Sequence, residues 1–303
     1  VPDKPRAEVV IDEPLVRRLL VTQATDALPD AAILPLALAA EGWDSAVWRL
    51  GDDLAVRLPR RRLGAPLIVH EQRWLPSIAA RIGPTGIRVP APLFAGAPGS
   101  GYPWAWSVVP WIDGMPGLAV PRALRTGWAV PLADALLALH LPAPADHPVN
   151  PVRGGPLAER ADAVAERFSA LRSRARAAGL AEAHRLWLAG LAASPWAQPP
   201  LWIHGDLHPG NLVAHGAELA GIIDFGDVTG GDPAYDLAVA WLAFDSAGRD
   251  AFIAATGDRY GEATWTRARA WAVAVALILL VHSDDNPDYA ALGEEALAEV
   301  IRD

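Results

Sequence analysis

His204-Gly205-Asp206-Leu207-His208-Pro209-Gly210-Asn211, followed by Ile223-Asp224-Phe225-Gly226, is the stretch on which the fold turns. The first segment fits His-x-Asp-x-x-x-x-Asn, and Asp224 stands 18 residues after Asp206. That set suits phosphoryl transfer, in which a site positions the nucleophile and neutralises phosphate charge, mostly with Mg²⁺. Asp206 is the candidate catalytic residue, able to orient an acceptor hydroxyl and take its proton. Mg²⁺ is a hard cation that takes one or two protein oxygens, and Asn211 and Asp224 carry the right ones. Pro209 and Gly210 break any helix and let Asn211 turn back toward the metal, and Gly226 allows a tight turn anchored by Phe225.

Working outward, Leu201–His204 and Leu219–Asp224 are short β-prone stretches whose ends carry the motif. Upstream, Leu132–Leu141 and Leu157–Leu191 repeat apolar residues at helical spacing. The first third of the chain reads differently. Ile33–Ala40, Ala46–Leu50 and Leu54–Leu58 form a meander of strands with Gly51-Asp52-Asp53 as a turn. A helix around Leu67–Arg81, a segment punctuated by Pro and Gly over 83–103, and a strand at Trp104–Val109 follow. The expected division is an amino-terminal nucleotide-covering lobe over 1–109, a hinge over 110–114 bracketed by Pro110 and Gly114, and a mainly helical lobe over 115–303.

Together with Asp232-Pro233-Ala234-Tyr235-Asp236-Leu237 and Val56-Arg57-Leu58-Pro59, these motifs resemble the aminoglycoside phosphotransferase family, from about Gly42 to Trp271. The resemblance implies an α+β, protein-kinase-like two-lobe fold, with an antiparallel sheet lobe carrying a helix and a larger helical lobe. It implies transfer of the γ-phosphate of ATP or GTP to a small-molecule hydroxyl, with Mg²⁺ as cofactor. It implies that Asp206 is the catalytic aspartate, that Asn211 and Asp224 bind the metal, and that Asp236 braces the catalytic loop. It implies further that Arg57 contacts the α- and β-phosphates and pairs with Glu71, Arg60 and Arg61 being the alternatives. Arginine there departs from the lysine of kinases generally; the chain's one lysine is Lys4, far upstream. The loop Glu41-Gly42-Trp43-Asp44-Ser45 lacks a Gly-x-Gly-x-x-Gly, which leaves Ser45 and backbone amides to cover the phosphates. At the hinge, the Pro110 carbonyl and the Ile112 amide match the positions that hold the purine edge.

A hydrophobic share of 52% against 20% charged is the balance of a folded protein of one large or two modest domains. The net charge of -9 disfavours nucleic acid or an anionic membrane as partner and suits a neutral or cationic ligand. Without cysteine there is no disulfide, thiolate nucleophile or zinc-thiolate site. Val1–Pro14 is charged throughout and has no apolar segment of signal-peptide type, so a cytoplasmic location is expected, with a monomer or weak homodimer. Ala270–Val281, twelve apolar residues, reads as a buried helix, shorter than the roughly 20 residues a bilayer span needs.

Three readings compete over the remaining residues. His204-x-Asp206-x-His208 could instead be a metal-hydrolase ligand set, although His204 is more simply a packed, loop-bracing histidine. Asp284, Asp285, Glu294, Glu295 and Glu299 are either a solvated helix face or, with Asp227 and Asp232, the lining of a cleft for an aminoglycoside-like cation. Trp111, beside the hinge, is the tryptophan most suited to ligand contact. A macrolide, choline, homoserine or sugar-amine acceptor, or a non-catalytic nucleotide-binding regulator, are the alternatives to an aminoglycoside kinase.

Overall fold

The computed structural model describes residues 5–173, 179–283 and 286–302. The chain falls into two units: one runs through Pro84 and takes in Arg88–Asp113, and the other holds Thr85–Ile87 and the chain from Gly114 onward. The later boundary lies inside the segment 110–114. Lys4, Asp284 and Asp285 lie outside the described residues.

The amino-terminal unit opens with α1 (Glu13–Leu19), a helix the sequence reading passed over. Its signals are ordinary: the Asp12 carboxylate accepts from the Leu15 amide at 2.9 Å, Pro14 sits in the first turn, and Arg17 and Arg18 close the last turn. Leu15, Val16 and Leu19 then join Leu50, Val56, Leu58, Trp106 and Val108 of the sheet in one buried core. Each such side chain contributes on the order of 1.5–3 kcal/mol on burial. The sheet is built from β1 (Leu36–Glu41), β2 (Ser45–Leu50) and β3 (Leu54–Pro59), then α2 (Ala65–Ile82), β4 (Phe94–Gly96) and β5 (Trp106–Pro110). Its order is β1-β2-β3-β5-β4, antiparallel throughout. The first strand starts at Leu36 and not at Ile33, because Pro29–Ala32 forms a 3₁₀ turn whose end leaves Ile33 80% exposed. β4 is a three-residue edge strand too short to show periodicity; its Gly96 is required because a Cβ there would run into the Trp106 ring.

The carboxyl-terminal unit contains β6 (Met115–Pro116), α3 (Ala129–Leu139), α4 (Ala161–Ser173), α5 (Leu180–Ala192), β7 (Leu201–Ile203), β8 (Leu212–His215), β9 (Glu218–Ile222) and β10 (Thr229–Gly231). The helices α6 (Ala234–Leu237), α7 (Val239–Ala243), α8 (Ser246–Ala255), α9 (Glu262–His282) and α10 (Pro287–Arg302) follow. Two small antiparallel sheets, β6-β8-β9 and β7-β10, carry the motif loops at their ends. α9 is apolar over most of its length with no separate polar face, and α4, α5, α6, α7 and α10 pack around it. The apolar run at Ala270–Val281 is therefore part of a 21-residue helix, long and apolar enough by length and composition to cross a membrane, most of which is buried in the unit.

Candidate active site

The catalytic loop begins where β7 ends. Its backbone is held from below by Asp236 on α6, a fully buried carboxylate that accepts from the His204 amide at 2.6 Å and the Gly205 amide at 3.0 Å. His140 lies 3.1 Å from the same carboxylate through Nε2, and its Nδ1 lies 2.7 Å from the Tyr260 hydroxyl. The bracing role expected of Asp236 is thus visible as a network of charge-assisted hydrogen bonds. Gly205 is required: its φ is +84°, and a Cβ would collide with the Asp227 carbonyl oxygen. His204 is also fully buried. Its Nδ1 accepts from the Asp206 amide at 3.2 Å, which leaves Nε2–H to donate to the Ile223 carbonyl at 2.9 Å. Both ring nitrogens are consumed by protein, so the histidine-ligand reading fails and His204 braces the loop. Among the described residues no three His, Asp or Glu side chains stand together as metal ligands.

The same ring links the catalytic loop to the loop carrying Asp224, and two further ties reinforce the link. The Ile223 amide donates to the Asn211 carbonyl at 2.9 Å, and the Phe225 ring packs on His204 with centroids 4.5 Å apart. The Asn211 side chain is buried and donates Nδ2–H to the Asp206 carbonyl at 2.7 Å. Its Oδ1 therefore points the other way, as an acceptor suited to a hard cation. Asp224 is exposed with φ 61° and ψ 61°, one of only two non-glycine residues among those described with positive φ. Non-glycine residues are uncommon there and cluster at functional sites. Asn211 Oδ1 and the Asp224 carboxylate form an all-oxygen donor pair, which fits Mg²⁺.

Asp206 has a partner that the motif did not reveal. Arg153, in the connector before α4, brings Nη2 to 3.0 Å from Asp206 Oδ1 and 3.6 Å from Asp227 Oδ2, and its Nη1 donates to the Tyr235 hydroxyl at 2.6 Å. Tyr235 packs on Trp271 of α9, and Asn150 donates to Asp227 at 2.7 Å. Burial pushes the Asp206 carboxyl up, but the charge of Arg153 and the bond and charge of His208 outweigh it and hold the group well below the usual carboxylate range. Asp227 shifts the other way, raised by burial and by Asp206, with Arg153 offsetting only part. On the far side of the loop Tyr289 of α10 sets its ring edge against His208, centroids 5.5 Å apart. Its hydroxyl is pushed up to about 12 by burial and by the charges of Asp206 and Asp224. A lone arginine between prolines and glycines left only one faint signal, a charge inside a connector.

In the amino-terminal unit Arg57 donates to Glu71 at 2.7 Å, and Glu71 is buried on α2. Arg60 instead donates to the Gly42 carbonyl at 2.8 Å and lies 3.7 Å from Glu41, while Arg61 pairs with Asp44. The two alternatives to Arg57 are thus spent on the β1–β2 loop. In that loop the Gly42 amide donates to the carbonyl of Ser45, the first residue of β2, at 2.8 Å. Pro110 closes β5 opposite Leu54, the Trp111 amide donates to Asp53 at 2.7 Å, and Ile112 is buried.

Several residues offered as ligand contacts already have partners within the protein. The Asp232 carboxylate is taken by Arg267, at 2.6 Å from Nε and 3.1 Å from Nη2, and by the Ala234 amide at 3.0 Å, so it stabilises the start of α6 and its charge is already paired within the protein. Glu299 is buried against Arg249 at 3.3 Å and also pairs with Arg302, whereas Glu295 pairs with Arg122 at 3.1 Å on an exposed helix face, the simpler of the two readings for it. One face of Trp111 is covered by the Arg49 guanidinium, 4.9 Å from the ring centroid, and Arg49 is itself paired with Asp113.

These units and loops define a protein-kinase-like fold of the small-molecule phosphotransferase type. The family model for the phosphotransferase enzyme family matches residues 36–271, and the chain belongs to that family. No curated protein matches the chain. Among solved structures it is similar to the GDP and kanamycin complex of APH(2")-IIia, at 18% identity and a TM-score of 0.63 over 92% of this chain and 97% of that one. It is similar to macrolide 2'-phosphotransferase MphH from Brachybacterium faecium, at 21% and 0.58 over 96% and 99%. It is also similar to a thermostable mutant of aminoglycoside phosphotransferase APH(4)-Ia bound to ADP and hygromycin B, at 16% and 0.56 over 88% and 93%. At these identities the likeness is one of fold.

Proposed function

We propose that this protein transfers the γ-phosphoryl group of ATP or GTP to a hydroxyl of a small molecule, with Mg²⁺. One observation carries the reading: Asp206, Asn211 and the loop bearing Asp224 are hydrogen-bonded into one constellation, with the Asn211 side-chain Oδ1 turned away from the bond its Nδ2 makes to Asp206. Mg²⁺, held by Asn211 Oδ1 and Asp224, would neutralise charge on the transferring phosphate. Asp206 orients the acceptor hydroxyl and takes its proton. Arg57, fixed by Glu71, grips the α- and β-phosphates with a planar fork. Ser45 and its loop amides cover the phosphates, and the Pro110 carbonyl and Ile112 amide hold the purine edge.

For the acceptor, an aminoglycoside-like molecule is the first class to test. The kanamycin and hygromycin B complexes of similar structures support it, and so does Asp227, a carboxylate beside Asp206. Asp232, already paired with Arg267, adds no support, and the similarity to a macrolide phosphotransferase keeps macrolides in the panel. The experiment is Mg²⁺-dependent transfer from ATP and GTP across aminoglycosides, macrolides, choline and homoserine. Asp206→Ala is expected to cut turnover by about 10² to 10⁴ while nucleotide still binds. Near-normal turnover in that variant would remove Asp206 from its role. Nucleotide binding without transfer to any acceptor would favour a regulator over an enzyme.

A further inference from the structure

Asp206 has two carboxylate oxygens, and the structure treats them differently. Oδ1 takes the 3.0 Å contact from Arg153, whereas among the described residues Oδ2 has the longer approaches of Asn211 Nδ2 at 3.5 Å and His208 Nε2 at 3.7 Å. The guanidinium is itself immobilised: Nη1 is tied to the Tyr235 hydroxyl, Nη2 reaches between two aspartates, and Nε is buried. Tyr235 sits on α6 next to Asp236. One turn of helix thus governs both the backbone of the catalytic loop, through Asp236, and the carboxylate it presents, through Tyr235 and Arg153.

We infer that Arg153 is a positioning residue for phosphoryl transfer, holding Oδ1 of Asp206 so that Oδ2 is presented to the acceptor hydroxyl. The inference rests on the reading of Asp206 as the acceptor-facing aspartate. A cation against a general base looks counterproductive, because it makes the base weaker. In a loose phosphoryl-transfer transition state the aspartate mainly orients the hydroxyl, so little is lost in basicity and a fixed carboxylate plane is gained. Arginine suits this place because its fork spans the carboxylate and the tyrosine at once, which a lysine point charge does not.

The test uses ADP release from Mg·ATP with water as acceptor and, in parallel, with any acceptor the panel yields. Arg153→Gln is expected to lower kcat by about 10- to 100-fold with KM for Mg·ATP within about twofold, since misplacement of about 1 Å can cost that much. Arg153→Lys should recover part of the loss, and guanidinium added to Arg153→Ala should raise its kcat, while Asp206→Ala shows no such rescue. Tyr235→Phe keeps the ring on Trp271 and loses only the anchor, so it should fold normally and lose kcat a few-fold. The inference is overturned if Asp206→Ala is inactive yet Arg153→Gln and Tyr235→Phe keep wild-type kcat. It is also overturned if Arg153→Gln changes KM alone. Wild-type protein inert toward both Mg·ATP and Mg·GTP, with water and across the acceptor panel, would instead sink the phosphotransferase reading, and this inference with it.

Discussion

Asp236→Asn is a change of one atom, and its cost can be worked out from the contacts. The carboxylate is fully buried and faces donors on both oxygens: the His204 amide and His140 Nε2 on Oδ2, and the Gly205 amide on Oδ1. An asparagine that keeps its carbonyl toward His204 must turn its NH₂ toward the Gly205 N–H, donor against donor. One buried donor pair left unsatisfied costs about 1–3 kcal/mol, and the other two bonds drop from charge-assisted to neutral, costing about 0.5–1 kcal/mol each. The sum is roughly 2–5 kcal/mol, a large share of the 5–15 kcal/mol of a typical domain. Thermal unfolding should fall by about 5–15 °C. Turnover of the folded fraction should fall too, because the same amides fix the approach to Asp206. Unfolding within about 2 °C of the parent protein, with turnover intact, would refute the claim that this network holds the loop.

Asp224→Ala removes a donor oxygen from the metal pair and should weaken Mg·ATP binding at least about tenfold by isothermal titration; unchanged affinity would move the metal elsewhere. Arg267→Ala strands the buried Asp232 carboxylate and should cost about 3–5 kcal/mol in urea unfolding, with acceptor KM unaffected. A raised acceptor KM at unchanged stability would return Asp232 to the ligand. Gly205→Ala places a Cβ at φ +84° against the Asp227 carbonyl and should cost at least about 1–2 kcal/mol together with turnover; a stable, fully active variant would mean the loop can shift freely.

The parts of the site that were legible in the sequence are local. Asp206 and Asn211 lie five residues apart, and Asp224 follows within one hairpin, so their chemistry is written as spacing. Arg153 lies far upstream, and its contact with Asp206 exists only because the connector returns to the end of β7. The acidic residues were left with two readings for a related reason. A carboxylate's charge is visible in sequence, but its partner is not, and Arg267, Arg249 and Arg122 had already claimed Asp232, Glu299 and Glu295. The helix α1 was a different kind of miss: Asp12, Pro14, Arg17 and Arg18 are sound start and stop signals, but Val1–Pro14 was read for its charge and the positions of these residues were not used.

The helix at the centre of the carboxyl-terminal unit has a consequence for how the protein is made. A ribosome delivers α4, α5, α6 and α7 before Glu262–His282, so the faces that close around that helix emerge with nothing to cover. The Tyr235–Trp271 contact behind Arg153 likewise waits for it. Until α10 is threaded into place, the nascent chain displays an apolar segment of bilayer length. In the order of synthesis the Asp236 brace emerges first and the Trp271 support behind Tyr235 and Arg153 comes later, so the backbone of the loop can be set before its carboxylate is.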